Sequence, residues 1–249
     1  MNYKKRLSPA YWMLASMLFA APFVASCGGN NEQQSEDYVD LGLPSGTLWA
    51  TTNVGANTPE EYGNYYAWAE TKTYSEVDES NAMNYNYAGS YIKTAYNWFT
   101  YKYCQGSETT MTKYCTSSDF GVVDSLVTLE PVDDAATANL GADWRTPTNI
   151  EWKELLSACH WTWSQRNNVN GYLVTGPNGK SIFLPASGAR FSKGRLNDVG
   201  VYGYYWSSNL CKSNSYNAYC VRFYAELVES SAIHRGYGRS IRPVRTAKK

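Results

Sequence analysis

The sequence predicts an α+β fold of short strands with two or three short helices. Three observations carry this. Short apolar runs recur from Tyr38 to the C-terminus, broken by turn signals such as Pro44-Ser45-Gly46 and Pro177-Asn178-Gly179. Helix signals are capping sequences of short reach, at Asp133-Asp134 and at Thr148 with Glu151. No repeat, long helix or second-domain linker interrupts the pattern, so one domain is expected over residues 38–247.

In chain order, YVDLGLPSG reads as a strand running into a turn. TLWATTNVG reads as a second strand with apolar residues at alternate positions. Thr58-Pro59-Glu60-Glu61 has an N-cap, a proline at the first helical position and a capping glutamate, which predicts one helical turn. GNYYAWAET follows as a strand, and residues 72–100 as loop or irregular strand.

Asp133-Asp134 should cap a helix ending at Leu140, with Gly141 as its stop. In DWRTPTNIEWKELL, Pro147 keeps the entry extended and Thr148 and Glu151 form a capping box. Ile150, Leu155 and Ala158 are the expected core face of that helix, which should end near Cys159. Trp144 and Trp152 are expected in the core, with Arg145 bridging the helix start to neighbouring strands. HWTWSQ, GYLVTG, SIFLPASG, GVYGYYWSSN, NAYCVRFYAE and GRSIRPVR are the remaining strands, with a hairpin at Pro-Asn-Gly.

The N-terminus carries targeting information. Lys4, Lys5 and Arg6 precede an apolar run from Tyr11 to Ala25, too short for a comfortable membrane span. Val24-Ala25-Ser26-Cys27 resembles a bacterial lipobox. That resemblance implies a signal peptide over 1–26, lipidation of Cys27 and a flexible tether over 27–37. The expected partner is therefore a membrane, reached through the lipid anchor. Gly28 rather than Asp after the cysteine favours the outer membrane or cell surface of a Gram-negative bacterium.

Composition narrows the function. Aromatic residues make up 15% of the chain, with 22 Tyr and 9 Trp, and such rings supply rigid contact area. The formal net charge is zero. Removing residues 1–26 takes three basic and no acidic residues, leaving 19 basic against 22 acidic, so a nucleic-acid partner has no electrostatic support. Five cysteines remain after Cys27. Cys104 with Cys115 and Cys211 with Cys220 are disulfide candidates across turn-like segments, with Cys159 left over; the alternative is free or differently paired thiols.

Taken together, YVDLGLPSGTLWATTNVGA, EEYGNYYAWAET, DDAATANLGADWRTPTNIEWKELL, CHWTWSQ, GYYWSSN and SIRPVR resemble the bacterial FISUMP, or major paralogous domain, family over nearly all of the mature chain. The resemblance implies a C-type-lectin-like fold of twisted antiparallel strands with few helices and with its terminal strands close together. Formylglycine-generating enzymes share that fold and an R-x-P-T-x-x-E-W segment, matched here by Arg145, Pro147, Thr148, Glu151 and Trp152.

Catalytic schemes fit poorly. The enzymes of that family bind copper through a C-x4-C pair, whereas Cys211 and Cys220 are spaced C-x8-C. A lectin-type calcium site needs an amide after Glu-Pro, and Glu130-Pro131-Val132 lacks it. Asp133 and Asp134 read as capping residues rather than metal ligands. The only histidines, His160 and His234, have no metal-site spacing. No catalytic residue, metal or cofactor is expected.

Binding remains. The C-terminal stretch is dense in Tyr, Asn, Ser and Arg. Tyr202, Tyr204, Tyr216, Asn217, Tyr219 and Arg222 are candidate ligand contacts. So are Tyr224, Glu226, His234, Tyr237 and Arg239, whereas Tyr205 and Trp206 read as core. The reading is adhesin-like recognition of an extracellular glycan or protein. Diversification by a retroelement would fit the segment's position and composition. The alternatives are a copper oxidase of the formylglycine-generating type and a structural envelope lipoprotein.

Overall fold

The computed structural model describes residues 37–73, 96–191 and 195–246. The chain divides into two units, 1–35 and 36–249. The expected signal peptide, Cys27, most of the tether and much of the expected loop over 72–100 lie outside the described residues.

Among the described residues antiparallel sheets dominate, with two short α-helices. Strands β1 (Tyr38–Asp40), β2 (Thr47–Ala50) and β11 (Val244–Thr246) form one sheet with β2 in the middle, so the two ends of the domain meet. Strands β3 (His160–Arg166), β4 (Val169–Thr175) and β5 (Ser181–Pro185) form a meander. Strands β8 (Gly203–Leu210), β9 (Asn217–Tyr224) and β10 (Leu227–His234) form a second meander, and β6 (Ala189–Arg190) and β7 (Leu196–Asn197) make a small ladder.

Several local predictions hold. Helix α1 (Ala135–Leu140) starts at Asp134, whose carboxylate accepts from the backbone of Ala136 and Thr137, and stops at Gly141, with φ +92°. Helix α2 (Asn149–Ala158) opens with the capping box: Thr148 Oγ1 accepts from Glu151 N at 3.2 Å and Glu151 Oε2 accepts from Thr148 N at 2.8 Å. The β4–β5 hairpin closes through Gly179, whose φ of +82° suits a residue without a Cβ.

Others need correction. Strand β2 is buried at all four residues rather than alternately, because it is the central strand and both its faces are covered. Ile150 is 79% exposed. The core side of α2 is set by Glu151, Trp152 and Leu155, which turns Ile150 outward. Trp144 is only half-buried, lying 5.4 Å from the Arg245 guanidinium, whereas Trp152 is fully buried.

Thr58–Glu61 forms a lone turn, and GNYYAWAET contributes a single bridge, Tyr66 to Arg239, in place of a strand. In GRSIRPVR only β11 is regular. Pro243 has no N–H, and Arg242 turns inward to donate to Asn53 Oδ1 and the carbonyls of Ala50, Thr51 and Phe183. Strand β10 was not predicted; its residues are half-buried almost throughout, so no clean alternation marks it.

The β8–β9 pair explains the core. Successive residues Tyr205 and Trp206 point to opposite faces, each into its own apolar cluster. Tyr205 joins Trp49, Trp152 and Phe223, and Trp206 joins Tyr66, Trp68 and Ile241. Gly203 is required here, since a Cβ would lie 2.0 Å from the Phe223 ring.

Candidate functional site

The Tyr-rich segment folds partly inward, and the rest forms a connected string of rings. At one end Trp98, Tyr216, His234 and Tyr237 cluster. The His234 imidazole is stacked between Trp98, with centroids 4.3 Å apart, and Tyr237, at 3.9 Å and an interplanar angle of 5°. Tyr216 meets His234 edge-on at 4.5 Å. Tyr237 passes the string to Phe191 at 5.7 Å, and Phe191 to Tyr204 at 6.3 Å. Tyr204 stacks on Tyr202 at 5.9 Å, and Tyr202 leans on Tyr224 at 5.2 Å. All except Tyr204 are half-buried, so part of each remains open to solvent.

The strand register places charge beside the rings. Tyr204 of β8, Arg222 of β9 and Glu229 of β10 stand directly opposite one another, and Arg222 pairs with Glu229. Arg239 lies deeper, 2% exposed. Its guanidinium carbon sits 4.8 Å from the Phe191 ring centre, 4.9 Å from Tyr204, 5.7 Å from Tyr237 and 5.9 Å from Trp206. Burial lowers the Arg239 pKa to about 10, which leaves it a cation at neutral pH. Burial, aided by the charge of Arg239, lowers His234 to about 4, so the imidazole is neutral. Its Nδ1 accepts from Gly236 N at 3.0 Å.

Six of the eleven residues expected to contact ligand therefore belong to the string: Tyr202, Tyr204, Tyr216, Tyr224, His234 and Tyr237. Arg222 and Arg239 adjoin it, and Arg239 lies almost wholly buried beneath the rings. Three residues stand apart. Tyr219 shares the strand face of Val221 and Phe223 and bonds the Cys211 thiol. Asn217 shares that parity at the strand's start, where its carbonyl accepts from Cys211 N. Glu226 is exposed in the β9–β10 turn. Sequence reasoning missed Trp98, Phe191 and Glu229. Trp98 and Phe191 are single aromatics far from the Tyr-rich stretch, and nothing local marks them as its neighbours.

The cysteine candidates are unbridged: Cys104, Cys115, Cys159, Cys211 and Cys220 are all free thiols. The register accounts for it. Cys220 lies opposite Trp206, while Cys211 meets Asn217 at the turn, three residues away and about 10 Å along the strand, beyond disulfide reach. Cys104 bridges Met111, with Cys115 four residues further on. Burial also raises the Cys220 pKa to about 12, so that thiol keeps its proton and is poorly suited to metal thiolate chemistry.

The RTPTNIEW segment is internally satisfied. Arg145 forks onto Glu151, with Nη1 to Oε2 at 2.7 Å, while its backbone pairs with Val244 of β11. This is the expected bridge from the helix start to a strand. Asp134 accepts from Thr146 N and Oγ1 as well as capping α1. Buried Asp133 accepts from Lys102, Lys113, Tyr103 and Tyr114. Burial alone raises the Asp133 pKa, but these bonds outweigh it and hold the carboxyl below the usual range. Both aspartates thus have their acceptor capacity occupied by protein donors. Comparison of the chain with family models, with curated proteins and with solved structures finds no match.

Proposed function

We propose that this chain is a lipid-anchored surface protein that recognises an extracellular glycan or protein through the aromatic string, on a C-type-lectin-like fold of the FISUMP kind. The carrying observation is the string itself: eight connected rings, seven of them part-open, with polar tips on every ring but Phe191. A chain stabilised only by its cores has no need of rings half in water at that density. The joined terminal strands and the sparse helices support the fold assignment. The lipobox at Cys27 supports the anchor, and the outer membrane or cell surface is the corresponding location.

The test combines glycan and protein arrays with protease shaving of intact cells. Saturable binding, weakened in Tyr202→Ala and Tyr224→Ala but kept in Tyr219→Ala, is expected. Absence of saturable binding on both arrays would overturn the recognition reading and leave a structural envelope lipoprotein. The oxidase reading is disfavoured by the separated, protonated Cys220. Copper-dependent oxygen consumption lost in Cys220→Ser would restore it.

A further inference from the structure

Three arginines from the C-terminal segment are buried, and their hydrogen bonding differs. Arg242, 0% exposed, donates to four acceptors: Asn53 Oδ1 and the carbonyls of Ala50, Thr51 and Phe183. Arg235, also 0% exposed, donates through its two Nη atoms to the carbonyls of Tyr114 and Lys113 and to the Met111 sulfur, and its Nε alone is unpartnered. Arg239 makes one bond, Nη1 to the adjacent Gly238 carbonyl at 3.1 Å, and its buried Nε has no partner. No carboxylate pairs with it among the described residues.

The surrounding rings do not replace that partner. A ring face attracts the cation as a whole, whereas the guanidinium N–H bonds lie in its plane and need oxygen acceptors. A buried cation with an open donor set is costly unless something completes it. Arg222, across the strand from Tyr204, repeats the pattern: it holds Glu229, yet its buried Nε is also unpartnered. Two open guanidinium donor sets thus adjoin Tyr204, midway along the aromatic string.

We infer that the ligand of this string is an acidic sugar, a pyranose bearing a carboxylate, whose ring lies against the half-open Tyr202 and Tyr224 and whose carboxylate completes the donor set of Arg239. The inference rests on the recognition reading above and deepens it. Guanidinium forks match carboxylates in geometry as well as charge. The half-open rings of Tyr202 and Tyr224, 5.2 Å apart, suit the C–H face of a pyranose, and their phenol tips suit its hydroxyls.

The test is titration calorimetry on the full-length protein in detergent. The probes are hexuronate oligosaccharides and sialyllactose, each paired with its carboxyl-reduced counterpart, an otherwise identical neutral sugar. At least one acidic probe should bind about tenfold or more tighter than its reduced partner, the worth of a charge-assisted bond. The preference should shrink as sodium chloride is raised. Arg239→Lys, which keeps the charge but not the fork, should lose most of the preference, with folding checked by thermal melting.

Equal affinity for acidic and reduced forms would overturn the acidic-sugar inference and leave the recognition reading standing. Binding of none of the four sugar types overturns the inference too, and the arrays then decide recognition separately. A folded Arg239→Lys protein with undiminished preference would remove Arg239 from the site and sink the assignment. Should that variant fail to fold, the wild-type comparison of acidic with reduced sugars decides alone.

Discussion

Replacing Glu70 by Gln should stabilise the protein, and increasingly so as pH rises through the range between about 4.5 and 7. Glu70 is 9% exposed, and its Oε1 accepts from Lys102 N at 2.8 Å. Burial raises its pKa from 4.5 to about 7, against the opposing pull of Lys102. The folded state therefore binds a proton that the unfolded state has released, and the Glu70 contribution to stability falls as pH climbs through that window. At about 1.4 kcal/mol per pKa unit, the full span is worth about 3 kcal/mol.

Gln keeps an acceptor for Lys102 and carries no charge. The stability of Glu70→Gln minus that of wild type should therefore be flat below about pH 4.5, grow by about 3 kcal/mol toward neutrality and level off. Wild type alone would mislead. His234 runs the other way: its depressed pKa makes stability rise with pH between about 4 and 6.5. Asp133 also gains stability with rising pH, but that gain is complete once pH passes its unfolded value of 3.8. Urea unfolding followed by tryptophan fluorescence at stepped pH gives the difference directly. A difference independent of pH, or one that shrinks toward neutrality, would refute the assignment of Glu70 as a buried, proton-holding carboxyl.

Other outcomes follow from the clamps. Thr148→Ala should cost about 1 kcal/mol in urea unfolding, since it removes the oxygen that caps α2 and loosens the Glu151 loop of bonds. Arg242→Met should cost more than about 3 kcal/mol, because it leaves Asn53 and three carbonyls without their buried donor; a loss below about 1 kcal/mol would mean those acceptors find water. Alkylation under denaturing, non-reducing conditions should label all of Cys104, Cys115, Cys159, Cys211 and Cys220, while the native protein should protect buried Cys115 and Cys220; a pair refusing label until reduced would reveal a disulfide.

How much was legible follows from where the information sits. The helices were readable because capping is a property of neighbours: Asp134 with Ala136, and Thr148 with Glu151, interact within a few residues. Ile150 was misplaced because apolar character alone does not fix which side of a helix meets a core, and here Trp152 does so by donating its indole N–H to Trp206 O at 3.0 Å. Strand β10 stayed hidden because its pairing partner, rather than its own alternation, makes it a strand. The Tyr-rich segment stands out in the sequence by composition, but its depth was not visible. Burial of Arg239 depends on Phe191, which is distant in sequence, and on the close approach of Tyr66 to its backbone.

That division between depth and rim constrains the diversification idea. In β8 and β9, Trp206, Cys220, Val221 and Phe223 are sealed into the two cores, and just beyond β10 Arg235 and Arg242 are wholly enclosed. Change at any of these leaves a cavity or an unpaired buried group, at a cost of about 2–5 kcal/mol each, a large share of an ordinary domain's stability. Tyr202, Tyr216, Tyr224 and Tyr237 keep solvent on one side, so substitution there alters the recognition surface while the cores persist. A retroelement acting on this gene would therefore have variable template positions at the half-open rings and constant ones at Trp206, Val221, Arg235 and Arg242. Sequencing the neighbouring DNA checks this. Absence of both a reverse transcriptase and a template repeat ends the idea, and a repeat whose variable codons fall on the sealed residues would contradict the assignment of the rim as the tunable part.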